Sequence, residues 1–64
     1  MKKTYKVNTT YHNLRIDRWI RKNLGDIPQS LIEKNLRNGI IKVNKKKVKS
    51  SHKINLDDTI DVFN

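Results

Sequence analysis

The chain has 64 residues, enough for one small domain, and it has no cysteine, so disulfides cannot stabilise it. Fifteen Lys and Arg face six Asp and Glu, which gives a formal net charge of +9 at pH 7. No apolar run reaches the length of a membrane span or of a signal peptide's apolar region, and the lack of cysteine fits a reducing compartment, so we expect a cytoplasmic protein.

A short strand and then a helix are predicted for the first part of the chain. Tyr5 and Val7 alternate with Lys6, which is the period of a strand, and Asn13 in the turn that follows tolerates a left-handed backbone. Four apolar residues then recur at i, i+3, i+4 and i+8 and make one stripe on a helix: Ile16, Trp19, Ile20 and Leu24. Gly25 is expected to end this helix. Because Trp19 lies within the stripe, we expect it in the core rather than stacked on a nucleic-acid base.

The second helix has two candidate starts. Asp26 with Gln29 forms one capping box, Ser30 with Glu33 forms another, and the sequence leaves both open. With the former start, Pro28 lies in the first turn, where its missing N–H costs nothing. The face toward the first helix carries Ile32 and Leu36, with Leu31 at its edge, and Asn38-Gly39 ends the helix.

Residues 39–49, GIIKVNKKKVK, predict a hairpin with positive charge at its tip. Ile41 and Val43 occupy alternate positions, which indicates a strand with one buried face. A two-residue turn at 44–45 follows, and Val48 lies on the returning strand.

The end of the chain predicts one more strand. Ile54 and Leu56 are expected to anchor the chain before a turn at Asp57-Asp58. The last strand carries Ile60 and Val62 on its buried face, and Thr59, Asp61 and Phe63 on the other. The order strand, helix, helix and three strands predicts an α+β fold, with two short helices packed on a small antiparallel sheet.

Four ordered segments together resemble a known RNA-binding module: RIDRWI at 15–20, IPQSLIEKNLRNG at 27–39, IKVNKKKVK at 41–49 and the Asp57-Asp58 turn. The module is the S-four domain, named after small-subunit ribosomal protein four, and the resemblance runs from Leu14 to Val62. It implies the fold called the alpha-L RNA-binding motif, in one domain over residues 1–64.

Within that superfamily, the chain is most similar to the amino-terminal domain of bacterial ribosomal large-subunit pseudouridine synthases of the C/D type. The similarity lies in the Pro-x-Ser helix start at 28–30, the Leu-Arg-x-Gly helix end at 36–39 and Val-Asn-Lys-Lys at 43–46. In those enzymes a separate domain carries the aspartate that attacks the uridine. The resemblance therefore implies a fragment of an RNA pseudouridine synthase, an isomerase, that retains RNA binding and lacks the catalytic domain.

Three positions depart from the S-four pattern. Gln29 stands where many S-four domains carry arginine, so one expected phosphate contact becomes a neutral hydrogen bond. Lys45 replaces the usual hairpin glycine and Asp57 the late glycine. Lys45 must then accept a positive φ at a modest cost, or the turn must change type. Asp57 is tolerable, because Asp enters the left-handed region more readily than most residues.

The chain has few groups that could carry out catalysis. His12 and His52 each stand without a second ligand at metal spacing. Asp17 opens the first helix, where its charge suits the helix dipole or a basic neighbour better than a catalytic role. We therefore expect that this chain is not itself an enzyme, uses no metal or cofactor, takes no small-molecule substrate and is a monomer.

The positive charge is concentrated in one stretch. Residues 34–53 hold eight basic residues and no acid, whereas three of the six acids lie in the last eight positions. Lysine is a default surface residue in proteins of AT-rich genomes, which accounts for part of the total charge but not for this segregation. Lysines on an exposed turn can meet phosphates without desolvating a core, and counterion release then drives association.

We therefore predict that the chain binds structured ribosomal RNA in a groove between the second helix and the hairpin. Phosphate contacts position an RNA more than they read its sequence, so the predicted sequence specificity is modest. The predicted site consists of Arg15, Gln29, Ser30, Lys34, Arg37, Lys42, Asn44, Lys45, Lys46 and Lys47.

Several alternatives stay open at this point. The chain could be a free-standing ribosome-associated protein of the same fold. Two short helices around a tight turn could also form a DNA-binding helix-turn-helix, with the lysine hairpin as a wing. The hairpin lysines could simply prevent edge-to-edge aggregation of strands. Binding to an anionic membrane ranks last, because the core needs the apolar stripes.

Overall fold

The computed structural model describes residues 1–63, and Asn64, the last residue of the predicted domain, lies outside the described residues. The elements in chain order are β1 Lys2–Lys6, a 3-10 helix Thr9–Tyr11, β2 Leu14–Arg15, α1 Ile16–Leu24, α2 Gln29–Arg37, β3 Ile41–Val43, β4 Lys53–Ile54 and β5 Thr59–Phe63. The fold is α+β, as predicted. Among residues 1–63, neither nine-residue helix has the length or apolar character needed to cross a bilayer.

The strands form two antiparallel sheets rather than the one sheet predicted. The larger sheet has the order β1-β5-β3, and the smaller pairs β2 with β4. In the larger sheet β1 pairs with β5 over its whole length, from Lys2 opposite Phe63 to Lys6 opposite Thr59. The sequence did not reveal β2, because a strand of two residues is too short to show alternation.

Helix α1 buries the stripe predicted for it. Ile16, Trp19 and Ile20 are buried, and the partly buried Leu24 packs against the core. Trp19 is 2% exposed, and its ring meets the edge of Tyr5 at a centroid distance of 5.2 Å and an interplanar angle of 77°. Trp19 is therefore a core residue, as predicted.

Helix α2 begins at Gln29, and neither predicted capping box forms there. Pro28 is the N-cap residue, with no side-chain capping hydrogen bond. The residue before a proline is driven out of the helical region, so Ile27 cannot join a helix capped by Asp26. Ser30 already lies inside the helix and cannot cap it.

The other end of α2 closes as predicted. The Gly39 N–H donates to the carbonyl of Leu36 at 3.2 Å, and the Ile40 N–H donates to that of Asn35 at 2.9 Å. This is the Schellman pattern, which needs a residue in the left-handed region, and Gly39 has a φ of 74°.

The tip of the predicted hairpin is present, but its second strand is not. Val43 and Lys46 exchange two backbone hydrogen bonds of 3.0 Å each around a two-residue turn. Asn44 and Lys45 have φ values of 51° and 67°, so Lys45 accepts the positive φ expected of it. The prediction that Val48 lies on a returning strand is wrong. Val48 instead packs against the core and lines a groove with α2, which takes the segment out of the sheet.

One apolar core joins both helices to both sheets. Its buried members are Val7, Ile16, Trp19, Ile20, Ile32, Leu36, Ile41, Val43, Ile54 and Ile60. Ile54 anchors the chain as predicted, but Leu56 does not, because it is 45% exposed in the turn between β4 and β5. Asp57, in the same turn, takes the positive φ expected of it, at 72°.

The last strand carries an acid that is buried on the face away from this core. Asp61 is 4% exposed, although the sequence placed it on the outer face with Thr59 and Phe63. Thr4, its partner on β1, donates a 2.7 Å hydrogen bond to the carboxylate. This contact satisfies the buried charge in part and ties β1 to β5.

Replacing Trp19 with Ala should lower the free energy of unfolding by about 3–5 kcal/mol, because the substitution leaves a cavity in the apolar core of a small domain. Urea denaturation followed by circular dichroism measures the loss. Lys22→Ala, an exposed change on the same helix, serves as the control. A Trp19→Ala variant as stable as this control would contradict the core assignment.

Candidate nucleic-acid interface

A buried carboxylate holds an arginine at the start of α1. The Arg15 Nε donates to Asp17 Oδ1 at 3.2 Å, and its Nη2 donates to Asp17 Oδ2 at 2.9 Å. The Asp17 side chain is 5% exposed, whereas that of Arg15 is 47% exposed. Asp17 thus holds one edge of the guanidinium and leaves the remainder to solvent, a geometry suited to an anionic ligand.

Gln29 joins the same carboxylate from α2. Its Nε2 donates to Asp17 Oδ2 at 3.2 Å and to Glu33 Oε2 at 3.1 Å, and its Oε1 accepts a hydrogen bond from Arg21. The Gln29 amide therefore joins the two helices and binds a second guanidinium, that of Arg21. Its predicted role as a phosphate contact stays a prediction.

The pKa of Asp17 follows from these contacts. Burial by itself would raise the pKa of this carboxyl group. Hydrogen bonds from Arg15 and Gln29, the positive charge of Arg15 and the Arg18 backbone N–H outweigh burial and lower the pKa below its ordinary value of 3.8. Asp17 is therefore ionised at neutral pH and keeps Arg15 in place.

A groove separates α2 from the chain that follows the lysine turn. Its volume is about 570 Å³, and its walls are Glu33, Leu36 and Arg37 on one side and residues 47–51 on the other. Two backbone hydrogen bonds fasten the second wall to α1, from Asp17 N–H to the Ser50 carbonyl at 3.3 Å and from Ile16 N–H to the His52 carbonyl at 2.8 Å. The groove therefore adjoins the helix start that carries Arg15.

The Asn44 side chain fixes the start of the lysine turn. The Asn44 Nδ2 donates to Asp58 Oδ1 at 3.0 Å, and its Oδ1 accepts from the Thr59 N–H at 2.9 Å. Asn44 thus joins the turn to the start of β5, and its side-chain amide makes its hydrogen bonds within the protein. Lys45 and Lys46 are exposed beside it.

Two further lysines converge at the end of α2. A β-carbon added to Gly39 would lie 3.1 Å from the Cε atoms of both Lys42 and Lys47. The Lys42 Nζ also lies 5.7 Å from the centroid of the Phe63 ring. The C-terminus of a helix carries partial negative charge, which offsets part of the repulsion between the two ammonium groups.

The predicted residues fall into connected groups. Arg15 meets Gln29 through Asp17, Arg37 and Lys47 line the groove, and Lys47 meets Lys42 over Gly39. Ser30, Lys34 and Arg37 are exposed and spaced four and three apart, so they share one face of α2. Their common role in binding RNA stays a prediction.

Several residues of this region were not predicted from the sequence. Arg21 and Glu33 enter through Gln29, and Lys49, Ser50 and Ser51 line the groove. Glu33 lies four residues after Gln29 on the same helix, a spacing at which helical side chains meet. Arg21 lies on α1, and its contact with Gln29 depends on the angle between the two helices, which no sequence signal marked.

Few acids neutralise the basic groups. Among residues 1–63, the ion pairs within 4.0 Å are Lys6 with Asp57 at 3.9 Å, where both side chains are exposed, and Arg15 with Asp17 at 2.9 Å. Exposed pairs contribute little. The charge of the groove region is thus left to solvent counterions, whose release favours binding of a polyanion.

The His12 side chain forms a hydrogen bond within the fold. The His12 Nδ1 accepts a 2.9 Å hydrogen bond from the Leu56 N–H. The part of the chain that the structure describes contains no group of three or more His, Cys, Asp or Glu placed to hold a metal ion.

Because the pKa of Asp17 is lowered in the folded state, the stability it contributes is complete above its ordinary value of 3.8 and is lost as the pH falls through the lowered pKa. The wild-type free energy of unfolding should therefore fall more steeply than that of Asp17→Asn between about pH 5 and pH 2. Urea titrations at constant ionic strength measure both curves. Asp26→Asn, which removes an exposed carboxylate, should instead parallel the wild type, and parallel curves for Asp17→Asn would refute the assignment.

Comparisons with known proteins place this chain beside one kind of enzyme. It is 35% identical over 54 residues, 84% of its length, to ribosomal large subunit pseudouridine synthase C of Buchnera aphidicola subsp. Schizaphis graminum, and the match covers 17% of that protein. The synthase C of Vibrio cholerae is 42% identical over 48 residues, which are 75% of this chain and 15% of that protein. That of Escherichia coli K12 is 39% identical over 46 residues, 72% of this chain and 14% of that protein.

No family model and no solved structure matches the chain. The chain spans less than a fifth of the length of the synthases compared above. Most of this small α+β domain is thus similar to a short part of ribosomal large subunit pseudouridine synthase C.

Proposed function

We propose that this chain is an RNA-binding module that holds structured ribosomal RNA against the face formed by α2, the lysine turn and the start of α1. The observation that carries the proposal is a series of cationic side chains on this face: Arg37 and Lys47 line the groove, Lys42 approaches Lys47 over Gly39, and Arg15 lies at the helix start that adjoins the groove. An RNA strand presents phosphates at regular intervals, and such a series can meet several of them at once.

Hydrogen bonds within the protein support this proposal, because they hold several cationic residues in position before RNA binds. The turn at 44–45 is closed by hydrogen bonds on both its backbone and the Asn44 side chain, and the Asp17 carboxylate holds Arg15. Prepositioned groups lose less conformational entropy on binding than flexible ones do. The free lysine and arginine side chains then need only local adjustment.

The relatives named as pseudouridine synthases support a second part of the proposal. In a longer protein of this kind, the module would place a cytoplasmic RNA pseudouridine synthase on its ribosomal RNA, with catalysis supplied by another domain. Phosphate contacts suit that task, because they set position and orientation without fixing a long sequence.

Replacing Lys45, Lys46 and Lys47 together with Ala should weaken binding of an RNA hairpin about tenfold to a hundredfold, because three potential phosphate contacts are lost. The variant should stay folded, since all three side chains are exposed. Fluorescence anisotropy with a labelled hairpin measures the affinity.

The matched control is the triple variant Lys2→Ala, Lys3→Ala and Lys6→Ala. It removes the same charge from exposed positions on β1, at the sheet edge opposite β3. The proposal expects a much smaller loss for this variant. Equal losses would mean that net charge alone drives binding and that the interface is misplaced.

The logarithm of the affinity should fall with the logarithm of salt concentration at a slope of about −3 to −5, which corresponds to roughly four to six neutralised phosphates. The Lys45/Lys46/Lys47 variant should show a shallower slope. Anisotropy titrations at four salt concentrations measure both slopes, with a DNA duplex as a competitor at fixed salt. A flat response, or a strong preference for the duplex, would argue against an RNA module.

A further inference from the structure

One wall of the basic groove carries a carboxylate that no cation neutralises. Glu33 lines the groove with Arg37, Lys47 and Lys49, yet none of the ion pairs within 4.0 Å among residues 1–63 includes it. Its one hydrogen bond in that range comes from the neutral Gln29 amide, at 3.1 Å to Oε2. Gln29 is held in turn by buried Asp17. The carboxylate is thus positioned by a brace between the helices.

A groove that took phosphate alone would gain nothing from this carboxylate. An acid placed among phosphate-binding cations repels a phosphate and lowers its affinity, so a ligand that also brings hydrogen-bond donors fits this groove better than phosphate alone. The Oε1 of Glu33 accepts no hydrogen bond among residues 1–63, and its Oε2 has a second lone pair free. Both oxygens are therefore available as acceptors.

The remaining walls suit a flat, partly apolar group attached to a phosphate. Val48 and the edge of Leu36 supply apolar surface, and Arg37, Lys47 and Lys49 supply positive charge. The volume of about 570 Å³ lies within the usual range for small-molecule sites. Proteins commonly hold unpaired RNA bases in this way, by packing on their faces and bonding to their edges.

We infer that the groove takes one unpaired nucleotide of the bound RNA and that Glu33 selects guanine. This inference rests on the proposed function. A carboxylate is an acceptor only, and the guanine Watson–Crick edge offers two parallel donors, N1–H and N2–H, to its two oxygens. Adenine and cytosine offer only an exocyclic amine beside a ring nitrogen acceptor. Uracil offers one N–H between two carbonyl oxygens, which the carboxylate repels.

The probes are four labelled pentaribonucleotides that differ only in the central base, with uridine at the other positions. The wild-type chain should bind the guanine pentamer about fivefold to a hundredfold more tightly than the all-uridine one, the discrimination usual for a bidentate base contact. In a ¹⁵N-labelled chain, the guanine pentamer should shift the backbone amides of Arg37, Ser50 and Ser51, which line the groove.

Glu33→Gln supplies the test of the carboxylate. Glutamine keeps the length of the side chain but offers one acceptor and one donor, so the guanine preference should fall to near one. Asp26→Asn is the matched control, because it removes the same charge from an exposed position outside the groove. Asp26→Asn should bind every pentamer slightly more tightly through reduced repulsion and keep the preference, whereas Glu33→Gln should bind the guanine pentamer more weakly and the other three about as tightly as the wild type does.

Three outcomes would overturn the inference: four wild-type affinities that agree, a preference that survives Glu33→Gln, or a preference that falls equally in Asp26→Asn. Absence of binding to every pentamer would overturn it as well. The proposed function is judged separately by the RNA hairpin and the lysine variants. Salt-dependent hairpin binding without a base preference would leave that function standing and remove only the role given to Glu33.

Discussion

The buried carboxylate of Asp17 connects the parts of this small domain that carry the candidate interface. It accepts two hydrogen bonds from Arg15 and one from Gln29, and its own backbone N–H donates to Ser50. A buried ionised group is tolerated only when its charge is met by partners, and here the side-chain partners come from the start of α1 and from α2. Removing the carboxylate would release both the Arg15 guanidinium and the Gln29 amide that joins the helices.

The same domain must also tolerate a net charge of +9 with a core of ten buried apolar residues. Repulsion among so many cations opposes the compact state, and so small a core leaves little excess stability. The structure moderates the repulsion locally. Lys42 and Lys47 approach the carbonyl end of α2, and Arg15 has its own carboxylate. Binding of a polyanion would relieve the repulsion that remains. The same charges that lower the stability of the free domain therefore favour binding.

Much of the fold could be predicted because it depends on short-range chemistry. The apolar spacing of α1, the Schellman end at Gly39 and the positive φ of Lys45 are each decided within a few residues. The start of α2 lies within the predicted stretch, at Gln29, but neither predicted capping box forms, since Pro28 keeps Ile27 out of the helix and Ser30 already lies inside it. Local preferences compete, and the free energy of the backbone restriction before proline exceeds that of a single capping hydrogen bond.

The candidate site could likewise be predicted only in part. Its basic residue types and their concentration between residues 34 and 53 were evident in the sequence. A groove beside α2 was predicted as well, but its second wall was not, because residues 47–51 form that wall only where Val48 leaves the sheet to pack beside α2, and this depends on contacts between residues far apart in the chain. The sequence alone determined both helices, the strands at β1, β3 and β5, the turn at 44–45 and the excess of positive charge, since these follow from local periodicity and composition. Tertiary structure alone decided that Gln29 of α2 meets Asp17 and Arg21 of α1, because hydrogen bonds between the two helices depend on the angle at which they pack.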